Sequence, residues 1–513
     1  MNKVLKLRTI PVLAVICLIS SSFLAYPVST ANQYSQWAPP ETIPGYTTET
    51  WTPILIADKN RTVHAFSSQW IGQQDGQTTR AIVYNQWSLA KGWTNPVDIL
   101  LSPINEARLT DAILGRDGKL RVLFFGGNNK SADIYYSEAP VARAGEAPAW
   151  SMPVIIGSDA GDPEGAVMTE DNQGILHVLF NGRAEGTGLY AISSTDGGGT
   201  WSDPTSVFFA DSDTPNIAQL HMITGKSGEL HAIWNVYDFS GQGRGVYYAG
   251  SKDGSTWSEP VLLAAAKEGL GTQTPTLFEY QDTLFALFNL TPKIIMRQSR
   301  DSGLTWSDPS ILFARHVGVN GPLALVEDGN EALHLFFGQR IPGTGGPDIH
   351  GLWHSMWING RWIEPEAVIK GPRSVDKVGT NGFDPYNAHA VVIQGNLILV
   401  AWMTDPGDIK LNGVWYSYQI LDAPELPAIP LPTVQGDLIT NPQSLNPHML
   451  PSPVGGLPTA TPRVIDRSIL LKGNGSTGLS LFGLILIVAL PILLLLVILF
   501  RSKFTDDNHS SSH

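Results

Sequence analysis

The carboxylates, histidines and arginines of this chain fall into two classes, those that recur at matching positions and those that do not. Asp196, Asp253 and Asp301 recur. They stand in "SSTDGGGTWSDP", "SKDGSTWSEP" and "SRDSGLTWSDP", a pattern of S-x-D-x-G-x-T-W that runs into Trp-x-x-Pro. A carboxylate set among Gly, Ser and Thr accepts hydrogen bonds from turn backbone, the glycines admit positive φ, and Trp201, Trp257 and Trp306 supply apolar area. These aspartates therefore read as turn-formers, and the second box, one residue short, is a change a hairpin tolerates better than a reaction centre. His64, His177, His231 and His334 also recur, with Arg121, Phe285 and Leu399 filling the same place in other copies. Positions so dispersed do not converge on a metal and read as polar contacts between strands. The groups without equivalents are different. Arg108, Arg183, Arg244 and Arg340 are the source of any arginine cluster facing an anion, since a guanidinium fork grips a carboxylate in bidentate fashion.

The elements that must position these groups are written in the repeats. Trp-x-x-Pro occurs at Trp37, Trp93, Trp150, Trp201, Trp257, Trp306 and Trp362, in steps of 56, 57, 51, 56, 49 and 56 residues. Around it lie a first apolar strand, a second such as "LHVLF", a Gly-rich loop and a third such as "GVYYAGS". The second strand recurs from "TVHAF" to "ILVAW" and the third from "AIVYNQW" to "GVWYSYQ", and each series counts to seven. Four strands per fifty-odd residues, repeated, is the signature of a β-propeller blade. The last copy, ending near Ile420, lacks a Trp-x-x-Pro strand, and a spare one, "QWAPPETI", precedes the first. If the spare strand completes the last blade, the ring closes with no sheet edge exposed. The expected fold is all-β, a seven-bladed propeller over residues 33–421, with six blades as the alternative count.

A propeller gathers ligands at one end of its ring, where loops leading into the first strands meet loops after the second strands. The first group carries Glu106, Arg108 and Asp111; Asp162 and Glu164; Gln219 and His221; and Asp384, Tyr386 and His389. The second carries Arg183 and Glu185; Tyr237, Asp238 and Arg244; Arg340 and Asp348; and Asp405. Arg108, Arg183, Arg244, Arg340, Asp238 and Asp384 are the candidate ligand-binding residues, against a background in which loop polarity is the default.

Asp-boxes in consecutive blades, each leading into "TWS[DE]P", resemble the sialidase (neuraminidase) superfamily and its bacterial-neuraminidase-repeat relatives. The resemblance is most specific between Gly188 and Pro309. It implies a set of functional groups: three arginines on a substrate carboxylate, a Tyr–Glu pair as nucleophile and an Asp as acid/base. On that basis Tyr237 or Tyr386 beside Glu164 or Glu185 are the candidate catalytic residues. The Arg-Ile-Pro motif of the family has one counterpart here, Arg340-Ile341-Pro342, which follows all three boxes, and catalytic members are built on six blades. The resemblance implies exo-α-sialidase hydrolysis or, alternatively, non-catalytic binding of a glycan or a cell-surface protein, and it leaves open whether the chain is an enzyme. It calls for no cofactor, and no cluster of residues calls for a metal.

Composition and the two ends set the context. The formal net charge is −13 with no basic stripe, which argues against nucleic acid as a partner. Lys3, Lys6 and Arg8 precede an apolar run and then small residues at Ser29 and Ala31, the pattern of a signal peptide over 1–31. The single cysteine, Cys17, lies within it. Residues 422–477 are rich in Pro, Gly, Ser and Thr and read as a stalk. Residues 478–500, from Gly478 through Phe500, carry no charge and are long enough for a transmembrane helix. Arg501 and Lys503 follow at once, which puts the tail, 501–513, in the cytoplasm. The expectation is a single-pass cell-membrane protein with its propeller outside.

Overall fold

The computed structural model describes residues 37–431, apart from 48–49, 75–76, 103–105, 129–130, 159–164, 184, 268–269, 317–320, 340–350, 371–384 and 405–412. The chain divides into two compact units, Met1–Arg463 and Val464–His513, and every described residue belongs to the first. Among the described residues no helix is long and apolar enough to cross a membrane. The expected signal peptide and the 478–500 span lie outside them.

Each sequence repeat folds as an antiparallel meander, giving seven sheets of four or five strands. The first strands, Ile54–Ala57, Ala107–Leu114, Ala166–Glu170, Asn216–Thr224, Thr272–Tyr280, Ala324–Glu327 and Pro385–Ile393, open blades 1 to 7 in chain order. Every outer strand begins at the residue after the proline of a Trp-x-x-Pro landmark: Glu41, Val97, Val154, Thr205, Val261, Ser310 and Glu366. Proline has no N–H to give a ladder, so it is suited to the position just ahead of a strand. The spare N-terminal strand closes the ring as the sequence implies. Glu41 and Thr42 pair antiparallel with Tyr416 and Trp415, and the Ala38 and Ile43 N–H groups extend the pairing to Tyr418 and Val414. Seven blades is the observed count.

The core is distributed as seven apolar clusters, one per interface between neighbouring blades. The landmark tryptophans reach back into these interfaces. Trp201 of blade 3 meets Tyr136 of blade 2 edge-on at 5.3 Å, Trp306 of blade 5 meets Tyr248 of blade 4 at 5.0 Å, and Trp37 of blade 7 meets Phe336 of blade 6 at 5.6 Å. The tryptophan is thus the adhesive between blades.

The Asp-boxes are the hairpins between third and fourth strands. Asp196 accepts from the Thr200 N–H and hydroxyl at 2.9 and 2.7 Å and from the Ser194 hydroxyl at 2.8 Å. Asp301 holds Thr305 and Ser299 in the same way, and the shortened box uses Asp253 on the N–H groups of Ser255 and Thr256. The box glycine is required twice over. Gly198 has φ 99°, and a Cβ there would lie 2.4 Å from Tyr136; Gly303 has φ 87°, and its Cβ would lie 2.0 Å from the Tyr248 hydroxyl. The recurrent histidines serve the opposite side of the same hairpin end. His64, His177 and His334 each set Nε2 within 3.2–3.3 Å of an aspartate, Asp58, Asp171 and Asp328, that shapes the turn between first and second strands. Arg121 fills the slot in blade 2 and grips Asp117.

One boundary differs from expectation. The chain does not leave the ring at 421. Residues 422–431 run on across the turns between first and second strands of blades 6, 7 and 1. Asn330 donates to the Asp422 carbonyl at 2.8 Å, the Leu426 N–H to Gln394 at 2.8 Å and the Ile429 N–H to Lys59 at 2.7 Å. Arg61 pairs with Glu425, and Leu431 packs on the cluster between blades 1 and 2.

Candidate functional site

The first strands surround a cavity of about 700 Å³ that opens at the end of the ring opposite the Asp-boxes. Its most basic point is where blade 1 meets blade 2. Arg80 lies near the start of the third strand of blade 1, Gln77–Ser88, Glu106 immediately precedes the first strand of blade 2, and Arg108 is the second residue of that strand. Glu106 Oε1 accepts from Arg108 Nε at 2.6 Å and lies 3.3 Å from an Arg80 terminal nitrogen. Arg80 also lies over Trp70, 4.3 Å from the ring centroid. Arg80, Arg108 and the exposed Trp51 all line the cavity. Both guanidinium groups thus meet at the one Glu106 carboxylate. Arg108 uses Nε on Glu106, and its two terminal nitrogens, the pair suited to bidentate binding of a carboxylate, meet no partner among the described residues.

The remaining expected residues are spread over the same end of the ring. Arg183 and Glu185 are exposed on the hairpin between second and third strands of blade 3, where the Glu185 N–H donates to the Tyr190 hydroxyl at 2.9 Å. Tyr237 ends the second strand of blade 4. Asp238 and Arg244 stand on either side of the hairpin that follows and pair with each other, at 2.7 Å through Arg244 Nε and 2.5 Å through a terminal nitrogen. Asp238 also accepts from the Ser240 hydroxyl and from the N–H groups of Ser240 and Gln242, and these bonds, that of the Ser240 hydroxyl foremost, hold its carboxyl at about 2. Arg244 is committed to its own hairpin, and of the three described arginines of the expected cluster, Arg108, Arg183 and Arg244, it is Arg108 that lines the cavity. Glu164, Arg340 and Asp384 lie outside the described residues, as does the side chain of Tyr386.

Deeper in the channel the first strands carry bulges, and three bulge residues adopt the left-handed conformation: Gln219 at φ 55°, Thr274 at φ 46° and Asn387 at φ 52°. A β-branched residue at positive φ is a costly conformation of the sort that gathers at functional sites. The bulges turn polar side chains toward the next blade. The Leu277 N–H donates to His221 Nδ1 at 3.2 Å, the Leu55 N–H to His389 Nδ1 at 3.3 Å, and the Met168 N–H to Asp111 Oδ2 at 2.7 Å. Burial lowers both histidines to about 4, His389 also feeling His221, and raises the Asp111 carboxyl to about 7 against the N–H bonds it accepts.

Sequence reasoning missed Arg80, Trp51 and Trp70. A signal was present: Val63–Gln74 and Gln77–Ser88 are 12 residues each, against 7 for Leu176–Gly182 and Gly188–Ser194 in blade 3, so the blade 1 hairpin is the longer one.

The family model described as a BNR repeat-like domain matches residues 25–287, just over half of the chain. A search of curated proteins finds no match. Among solved structures, a protein of unknown function from Dyadobacter fermentans is 17% identical, with 75% of this chain and 99% of that chain covered at a TM-score of 0.46. A polysaccharide lyase of family PL25, an ulvan lyase bound to -[GlcA(1-4)Rha3S]-, is 12% identical over 74% and 96% at 0.46. The Trypanosoma rangeli sialidase in complex with sialic acid is 11% identical over 76% and 58% at 0.41.

Proposed function

The chain belongs to the family of the BNR repeat-like domain, and from that premise we propose that it is a glycan-binding propeller that holds an acidic sugar at the channel mouth between blades 1 and 2. The observation that carries this reading is the meeting of Arg80 and Arg108 on Glu106, beside Trp51 and Trp70, at the opening of the cavity. Glu106 fixes the two guanidinium groups in advance, so little side-chain freedom is lost when a ligand arrives. A carboxylate or sulfate can then take the terminal nitrogens of Arg108, and an indole face offers an apolar platform to a sugar ring. In this reading the propeller is carried at the cell surface by the 478–500 segment.

A glycan array probed with the full-length protein, together with turnover of a fluorogenic sialoside, tests the proposal. Acidic glycans are the expected hits. Arg108→Ala should weaken the best of them by about 1.5–3 kcal/mol, the worth of a charged hydrogen bond, and the loss should shrink as salt is raised. Binding confined to neutral glycans, or unaltered in Arg108→Ala, would remove the acidic-sugar reading. Sialoside turnover would extend it from binding to hydrolysis.

A further inference from the structure

The two channel histidines are locked in one tautomer by the ring itself. A neutral imidazole has one N–H and one lone pair. At His221 the lone pair belongs to Nδ1, because that nitrogen accepts the Leu277 N–H, and at His389 it belongs to Nδ1 again, because that nitrogen accepts the Leu55 N–H. The proton of each ring is therefore on Nε2. Both residues line the cavity, both are half-buried rather than sealed, and neither Nε2 finds a protein partner among the described residues. A ring whose lone pair is tied to backbone cannot take up a proton without breaking the bond between blades, so neither histidine can act as a general base from this position. What each can do is donate.

The two residues stand on blades 4 and 7, three blades apart in a ring of seven, and both line the one cavity enclosed by the first strands. Their donors are thus offered to one and the same cavity. The positions are set by Gln219 and Asn387, the left-handed bulge residues two places before each histidine. Gln219 is itself held by the Thr274 N–H, which donates to its Oε1 at 2.6 Å. Backbone strain at two matching sites, each aiming an N–H donor into a cavity, is what a built binding site looks like.

We propose that the channel holds the uncharged part of the sugar ligand, with the Nε2–H groups of His221 and His389 donating to its hydroxyl or carbonyl oxygens. The inference rests on the channel-mouth reading for the class of ligand and adds a second subsite below the arginines. Its chemistry excludes a cation there, since two N–H donors repel one, and favours an oxygen-rich acceptor.

Calorimetry on the full-length protein with cellotriose, chitotriose and trigalacturonic acid tests it. His221→Asn and His389→Asn keep a carboxamide oxygen for the Leu277 and Leu55 N–H groups but withdraw the Nε2–H donor. Each should weaken the bound trisaccharide about tenfold, the worth of one hydrogen bond, at a melting temperature close to that of the parent. His221→Gln, whose longer amide places an N–H near the Nε2 position, should recover much of the loss. A second measurement needs no variant: hydrogen exchange at the imidazole Cε1–H should slow at His221 and His389 when the trisaccharide is added, and stay constant at His64 and His177. The inference is overturned if the exchange rates are unmoved, if both Asn variants bind as the parent does, or if the parent takes up none of the three probes at millimolar concentration. Loss of binding in Arg80→Ala and Arg108→Ala with intact Asn variants would leave the mouth standing and remove the channel subsite. The reverse pattern would remove the mouth and keep the channel.

Discussion

At Asp196 one carboxylate closes a turn with three hydrogen bonds, and the Thr200 N–H, the strongest influence on it, together with the Thr200 and Ser194 hydroxyls holds its carboxyl at about 2. A folded-state value below the unfolded one contributes stability that is present above the ordinary carboxyl range and is lost as pH falls from about 4 to about 2. Asp196→Ala should therefore lower the melting temperature by a few degrees at neutral pH and blunt the acid dependence in that window. Binding per folded molecule should stay as it was, because the box lies at the far end of the ring from the mouth. Lost binding at an unchanged melting curve would give the aspartate a different role. Asp111 runs the other way. Burial lifts its carboxyl to about 7, so its contribution is full below the unfolded value and declines as pH rises from about 4 through about 7. Asp111→Asn still offers an oxygen to the Met168 N–H and removes the titration. Urea midpoints measured across that interval should fall with pH in the parent and stay level in the variant; parallel curves would show that Asp111 ionises freely. These two residues also mark what sequence alone can tell. Asp196 was legible as structural because it recurs with Gly and Trp at fixed offsets. Asp111 gave no sign of its environment, since burial in a channel is created by six other blades.

The strands were legible for a related reason: proline and tryptophan at fixed spacing announce where each outer strand starts, and alternation fills in the rest. Residues 422–431 were not. "DAPELPAIPL" has neither period, so composition suggests a detached stalk, yet its backbone is bound by hairpins of three blades. The signal lies in the partners. Gly329 and Gly395 approach each other closely enough for the Gly329 N–H to donate to the Gly395 carbonyl at 2.7 Å, and a Cβ on Gly329 would come within 2.7 Å of the Pro424 carbonyl oxygen. This segment spans the blade closed by the N-terminal strand, so it acts as a strap over the seam. A chain ending at 420 should melt below one ending at 431, and the turns at Asp328, Gln394 and Lys59 should exchange amide protons faster in the shorter form. Equal melting temperatures would reduce the strap to a passive contact. The mouth was half legible by the same logic. Arg108 was visible as a residue without equivalents, whereas Arg80 and Trp70 sit inside a hairpin whose unusual length, rather than its composition, is the clue.

The described residues form a ring in which no blade is stable by its own sheet alone, because each apolar cluster is shared between neighbours. Stability is then cooperative around the circle, and the weakest joint is the one made by chain ends distant in sequence. Blade 7 takes its outer strand from residues 41–42 and its other three from residues 385–420. Trp37, just ahead of that outer strand, lies edge-on to Phe336 at 5.6 Å and to His354 at 5.5 Å in blade 6. Glu41 accepts from the Tyr416 hydroxyl at 2.9 Å, and the Ser417 hydroxyl donates to the Ala38 carbonyl at 2.6 Å. Deleting residues 33–44 should therefore do more than remove one strand. It exposes the ladder edge of Val414 to Tyr418, empties the slot beside Phe336, and frees the seam that the strap crosses. An unpaired edge of this kind recruits a strand from another chain. The expected outcome is a substantially lower melting temperature, a broader transition, and concentration-dependent association seen in sedimentation, with a synthetic peptide of residues 33–44 restoring much of the loss. A deletion variant that melts as a sharp monomeric transition at the parent's temperature would show that the ring does not depend on its seam.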